Sequence, residues 1–325
     1  MSRSAASFPA PSAVASARVL HDRPPPFFRR TPTAEAHDLF LRLADALPAH
    51  QSRYAEARAA AAEASLLETS DGTSDEKTLF TELQRALPGA VPQRRPDRPA
   101  LLVSSTSWTE DEDFGLLVGA LAALDKVVVM EPAAYPDFVV CITGKGPLRA
   151  HYEARLAELR LKRVHVRTLW LEAGDYPRLL GAADMGICLH TSSSGLDLPM
   201  KVRALRALLH HLQRTTLRSL CPAQVVDMFG ASLPALAVHY PCLDELVRHG
   251  ENGRVFRSAT DLARDLAELF QGFPGELAAP SLAALSRGAA ETFATRWEDN
   301  WTANAAPLFL APEAPHDHVG GNDAT

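Results

Sequence analysis

The chain has 325 residues, of which 46% are apolar and 22% charged, and carries a formal net charge of −6. Such a composition can bury a sizeable core, and the acidity argues against nucleic acid as the main partner, since phosphate contacts need a basic surface. No stretch approaches the ~18 uninterrupted apolar residues of a membrane span; the longest candidate, Leu116 to Leu124, contains Gly119, stops at Asp125-Lys126 and reads as a core helix.

In chain order, the first residues are rich in Ser and Ala, with Arg3 and no acid. That composition weakly resembles an organelle transit peptide, the alternative being a plain tail. Residues 1–30 are expected as a Pro-rich tail or inter-domain strap, with Pro24-Pro25-Pro26 ahead of Phe27-Phe28. Residues 31–99 are expected as a helical and polar linker region. Within it, 33–65 reads as helix broken at Pro48, and 67–99 is polar and ends in the Pro/Arg-rich run Pro92 to Pro99. A domain boundary fits there.

From residue 100 the texture changes. Ala100–Ser104, Phe138–Thr143, Val164–Leu169, Met185–His190 and Ala235–Val238 read as strands. Helical spacing covers Asp113–Leu124, led by Thr109 and an acidic first turn, then Leu148–Leu161, Asp175–Ala183, 259–271 and 281–295. Strands alternating with helices predict an α/β domain, a parallel sheet covered on both faces, spanning residues 100–310 with a disordered tail at 311–325. Cys141, Cys188, Cys221 and Cys242 lack C-x-x-C spacing; Cys141 and Cys188 fall in strands and are expected as buried free thiols.

Ligands of such sheets bind beyond the carboxyl ends of the strands, which singles out three segments. Ser104 to Asp113 offers small hydroxyl residues ahead of a helix, suited to an anion at Ser107 or to plain capping by Thr109; Asp111-Glu112-Asp113 formally matches a D-x-D metal motif, although acids are common in a first turn. Gly144-Lys145-Gly146 allows a tight turn close to a ligand, with Lys145 able to meet a phosphate, and fits a structural βα turn equally well. The third is the strongest: Ser192, Ser193, Ser194 and Gly195 present N–H and O–H donors to a diphosphate, with Asp197 in the same loop and Lys201 supplying charge.

The segments WTEDEDF, ITGKGPLR, WLEAGDYPRLLGAADMGICLHTSSSGLDLPMK, VDMFG and CLDELVRHGENGRVF closely resemble the chitobiosyldiphosphodolichol β-mannosyltransferase family, and VLHDRPPPFF resembles that family's inter-domain stretch. The resemblance runs from about Val19 to Trp301 with two gaps, and its 170–201 run is highly specific. It implies the C-terminal Rossmann-like domain of a GT-B glycosyltransferase, with the acceptor-side domain and membrane anchor expected to be missing. The implied reaction moves mannose from GDP-mannose to dolichyl-diphosphate-chitobiose, β-1,4 and inverting, at the cytosolic face of the endoplasmic reticulum. Asp227 resembles the carboxylate that holds the nucleotide ribose, Trp170 and Leu171 fall at a base-contacting loop, and Glu245 resembles a second donor-side carboxylate, with helix capping as its alternative. Lys201 and the serine loop would face the diphosphate. His190 reads as a strand-end histidine, and the general base is expected in the missing half. The resemblance leaves room for a divalent cation and for association with other glycosyltransferases of the pathway. The alternative is a remnant that binds GDP-mannose, or a partner subunit, without transfer.

One departure stands out. Lys201 and Val225-Val226-Asp227 should be nearly contiguous, yet Val202–Gln224 intervenes, with Arg203, Arg206, Arg214 and Arg218 and no acid. One reading is a retained intron, since Val codons begin GT and CAG encodes Gln. The other is a basic amphipathic helix with Leu205, Leu208, Leu209 and Leu212 on one face, suited to anionic lipid. The intron is preferred because the segment falls between two ligand groups.

Overall fold

A computed structural model describes residues 20, 22–47, 76–83, 89–191, 224–275 and 279–309. Six strands form one parallel sheet: β4 (Ala100–Ser105), β5 (Phe138–Thr143), β6 (Val164–Leu169), β7 (Met185–Cys188), β8 (Ala235–Val238) and β9 (Gly253–Phe256), in the order β6-β5-β4-β7-β8-β9. Chain order therefore runs outward from β4 to one side, then returns to β7 on the other, which is the doubly wound Rossmann arrangement. β4 and β5 are buried along their whole length. Strands covered on both faces need apolar residues at every position, which is why these runs lack polar alternation.

Alternate residues serve two cores. On one face Leu102, Val140, Ile142, Ile187 and Leu236 meet α2 (Phe114–Met130) and α6 (Ala259–Phe270). On the other, Leu101, Val103, Val139 and Ala237 meet α4 (Asp175–Ala182), α5 (Gln224–Gly230) and α7 (Ala279–Thr292). The remaining helices are α1 (Thr33–Arg42), α3 (Arg149–Glu158), α8 (Trp297–Asn304) and α9 (Ala306–Phe309). No helix among the described residues is long and apolar enough to cross a membrane.

The described part of 31–99 is ordered onto this body. α1 and a three-stranded antiparallel sheet, β1 (Glu76–Lys77), β2 (Thr81–Leu83) and β3 (Gln93–Arg94), bring Leu39, Phe40 and Phe80 into the second core. His37 Nδ1 and the Thr81 hydroxyl join the helix to the sheet at 2.8 Å. Residues 22–31 dock as a strap: Thr31 N–H donates to Gly181 O, and Arg296 Nη1 donates to Phe28 O and Gly230 O. Gly230 has no room for a side chain there, because a Cβ would lie 2.5 Å from Pro24 Cβ.

One helix start and one strand end beside the site differ from the sequence reading. α2 starts at Phe114 with Asp113 as its N-cap, accepting from Leu116 N–H at 3.4 Å. Thr109 is not the cap, and the acids precede the first turn rather than occupying it; Thr109 instead shares a 2.8 Å hydroxyl contact with Ser107. β7 stops at Cys188, two residues before His190.

The amino-terminal edge of the sheet is fixed by charge. Arg98 grips Asp184 with two bonds of 2.7 and 2.8 Å, and Asp184 also accepts from Leu101 N–H. Arg94 and Arg30 cap the carbonyls of Ala182 and Ala183 at the end of α4, where the helix dipole favours cations. Burial pushes the Asp184 carboxyl up, but Arg98, Arg94 and the Leu101 N–H outweigh it and hold it below the ordinary range. A depressed folded-state pKa stabilises above the unfolded value and is lost as pH falls through the folded one. Replacing Arg98 by Met strands a buried carboxylate and is expected to cost about 3–5 kcal/mol, read as a lower urea midpoint. Parent stability should drop below about pH 4, and Asp184→Asn should flatten that drop.

Candidate functional site

Because the chain reverses direction between β4 and β7, the loops after these strands leave to opposite sides and open a crevice, the usual ligand position of such sheets. Its floor is a polar network centred on Glu112, which is only 2% exposed. One carboxylate oxygen accepts from the N–H groups of Ser107 and Trp108, both at 3.0 Å, and from the Thr106 hydroxyl. The other accepts from Gln224 Nε2 at 2.7 Å. Gln224 Oε1 in turn faces Cys188 Sγ at 3.0 Å. Beside it, Asp111 pairs with His190 at 3.2 Å, and its carbonyl accepts from the Thr191 N–H and hydroxyl.

The acidic run of the D-x-D match therefore divides into a histidine contact, a buried hub and a helix cap. Among the described residues no group of His, Cys, Asp and Glu is arranged to hold a metal. Ser107 is buried, with its N–H committed to Glu112 and its hydroxyl against Thr109. Burial lifts the Cys141 and Cys188 thiols to about 12, so neither is a ready nucleophile.

The Gly144-Lys145-Gly146 loop lies directly on the loop after β4. Gly144 has φ +130°, and a Cβ there would sit 1.9 Å from Thr106 O; at Gly146 it would sit 1.8 Å from Ser107 O. Parallel pairing places Thr143 beside Leu169, so Lys145 and Trp170 emerge together. The Lys145 ammonium rests 3.8 Å above the Trp170 ring, and that ring is 53% exposed. Leu171 turns inward against the core. A flat aromatic face with a cation beside it suits a heterocyclic base joined to phosphate.

Asp227 is 1% exposed on the first turn of α5, one helical turn beyond Gln224. Glu245 is exposed at the end of a 3-10 turn, Leu243–Glu245, that follows β8. Ser192, Ser193, Ser194, Gly195, Asp197 and Lys201 lie outside the described residues. A separate cleft of about 550 Å³ opens beside β9, lined by His239, Tyr240, Asp244, Arg257, Asp261 and Arg264. It touches neither Asp227 nor Trp170, and the crevice between β4 and β7 is the better-founded site because chain topology creates it.

Sequence reasoning missed Glu112 and Gln224 as linked residues. Glu112 stood in a run that looked like first-turn acids; its loop partners lie just upstream at Thr106, Ser107 and Trp108, and Gln224 comes from a helix distant in sequence. Gly144→Ala should shift the two loops apart and cost about 1–3 kcal/mol, whereas Gly174→Ala, with nothing within 4 Å of the added Cβ, should be near neutral; denaturant midpoints separate the two.

No family model matches the chain. The chitobiosyldiphosphodolichol beta-mannosyltransferase of Mus musculus is 42% identical over 306 residues, covering 93% of this chain and 54% of that protein. The UDP-glycosyltransferase TURAN of Arabidopsis thaliana is 41% identical over 306 residues, covering 90% of this chain and 58% of its own. The human "Putative glycosyltransferase ALG1L2" is 36% identical over 254 residues, 78% of this chain and 94% of its own. The chain thus spans about half the length of the first two relatives. Among solved structures, Anabaena Alr3699/HepE in complex with UDP matches 65% of this chain and 48% of its own with 18% identity and TM-score 0.45. WaaG, a glycosyltransferase involved in lipopolysaccharide biosynthesis, matches 66% and 47% with 18% identity and TM-score 0.42.

Proposed function

The chain belongs to the chitobiosyldiphosphodolichol beta-mannosyltransferase family, and we propose that it is the donor-binding half of a GT-B glycosyltransferase that takes GDP-mannose. The observation that carries this reading is the switch-point crevice, with the Asp227 helix reaching it through Gln224 and the Lys145–Trp170 pair at the ends of neighbouring strands.

Each part has a chemical task. The exposed Trp170 face stacks the guanine, and Lys145 stands close enough to exchange the ring for a phosphate. The Asp227 carboxylate accepts the two ribose hydroxyls. Ser192, Ser193, Ser194, Gly195 and Lys201 meet the diphosphate, with Asp197 in the same loop, and Glu245 faces the sugar side of the donor. Cleavage of the mannosyl bond leaves negative charge on GDP, which preorganised donors stabilise. The acceptor, a dolichyl-diphosphate-linked chitobiose, needs a general base to deprotonate its attacking hydroxyl. We assign that base and the acceptor groove to the length of the relatives that this match does not cover. Work at the cytosolic face of the endoplasmic reticulum membrane, beside other glycosyltransferases of the pathway, follows from the same reading. So does binding without transfer by this chain alone.

One relative carries UDP in its name, so the base is the point to test. Calorimetry with GDP and UDP is to be run on this chain, on a form lacking Val202–Gln224 and on Asp227→Asn. GDP is expected to bind at least about tenfold tighter than UDP, and loss of charged ribose contacts in Asp227→Asn to weaken GDP about tenfold or more. Binding of GDP only to the shortened form would show that the segment breaks the site. Binding to neither form would end the donor reading. A phytanyl-diphosphate-chitobiose acceptor then distinguishes transfer from binding alone.

A further inference from the structure

We infer that Glu112 is a positioning residue: acting through Gln224, it sets the helix that carries Asp227 at the switch-point crevice. The inference rests on Asp227 as the ribose carboxylate, and goes beyond it by naming what holds that carboxylate in place.

The geometry is directional. A carboxylate only accepts, so Gln224 must turn its Nε2 toward Glu112 and leave Oε1 for the Cys188 thiol. The amide is thereby fixed from both sides. Gln224 and Asp227 are three residues apart on one helix and share a face, and all seven residues of α5 are buried. Displacement of the first residue is therefore carried to Asp227 rather than absorbed by solvent. Glu112 itself is anchored independently of α5, by the N–H groups of Ser107 and Trp108 and the hydroxyl of Thr106. It can thus transmit the position of the β4 loop to the helix. Among the described residues no Lys or Arg pairs with it. Stability alone favours an apolar residue over a buried unpaired charge, and an acceptor-only group that orients a helix gives that charge a use.

The test uses four proteins, Glu112→Gln, Gln224→Glu, the double exchange and Gln224→Leu, each titrated with GDP and with 2′,3′-dideoxy-GDP, which lacks the ribose hydroxyls. In Glu112→Gln the introduced amide keeps its oxygen toward the loop N–H groups and turns its nitrogen to position 224, so the Gln224 amide must flip and leave its Nε2 against the Cys188 sulfur, a weak acceptor; this reversal of the orienting bond is expected to weaken GDP about tenfold. The double exchange restores one donor–acceptor pair: the amide oxygen introduced at position 112 can accept from the loop while its nitrogen donates to the carboxylate introduced at position 224. It is expected to recover affinity to within about threefold of the parent. Gln224→Leu removes the link without disturbing the loop around Glu112, and covers the case in which Glu112→Gln fails to fold. The dideoxy compound is the discriminating probe: because the effect acts on the ribose carboxylate, all three single changes should alter its affinity less than about twofold. Equal losses on both nucleotides, unchanged GDP affinity in folded Glu112→Gln or Gln224→Leu, or a double exchange no better than the singles would each overturn the positioning role. Failure of the parent chain to bind GDP at all would instead overturn the donor reading, and this inference with it.

Discussion

A carboxylate taken out of water must be met by donors, and few places in a fold can supply several at once. Glu112 finds them where two loops diverge from the middle of a parallel sheet. Meeting it turns the backbone at Trp108, which adopts φ 52°, and delays the start of α2 until Asp113 can cap it. It also draws the first residue of α5 into the core. The neighbouring glycine loop follows, because Gly144 and Gly146 press against the carbonyls of Thr106 and Ser107, the residues that surround Glu112. One buried carboxylate thus arranges two loops and the starts of two helices at the end of the sheet where ligands bind.

The opposite edge is organised by a different pairing. Arg98 and Asp184 fix the starts of β4 and β7, and Arg30 and Arg94 satisfy the last carbonyls of α4. Both groups of that pair are charged, bidentate and closed to solvent, which is a structural arrangement. At the carboxyl edge Glu112 is held by neutral donors, and an exposed ammonium rests on an exposed ring. The amino edge is thus closed by matched charge, while the carboxyl edge is the end at which such sheets bind ligands.

Much of this was legible beforehand, for a physical reason. Phe138–Thr143, Val164–Leu169 and Ala235–Val238 appear with the bounds the sequence gives because short apolar runs between turn residues admit little else in an alternating α/β chain. β9 was hidden: it is an edge strand whose Arg254 reaches out to Asp265 and Glu268, so its pattern is only half apolar. β1 to β3 are two or three residues long and polar, below what periodicity can detect. At the site, resemblance singled out Trp170 and Asp227 and glycine chemistry singled out Lys145. That Lys145 and Trp170 touch follows from register, and register follows from strand pairing that no local pattern contains. Glu112 was misjudged because an acid before a helix has a common explanation, and only the fold shows that its side chain points back.

Gln224 gives the intervening segment a physical meaning. It is the last residue of the stretch that separates Lys201 from Val225, yet it supplies the donor that Glu112 requires. In a chain lacking Val202–Gln224, Lys201 would directly precede Val225 and would offer an ammonium where this chain offers an amide. The demand of the carboxylate is satisfied in both cases, because it asks only for a donor. The charge is not equivalent: an ammonium brings a positive charge to the carboxylate, whereas an amide brings none. A diphosphate approaching that crevice is repelled by an unneutralised carboxylate and drawn by a neutralised one, most strongly where water is scarce. Whether Lys201 or Gln224 precedes Val225 therefore changes the charge beside Glu112 while leaving it a donor.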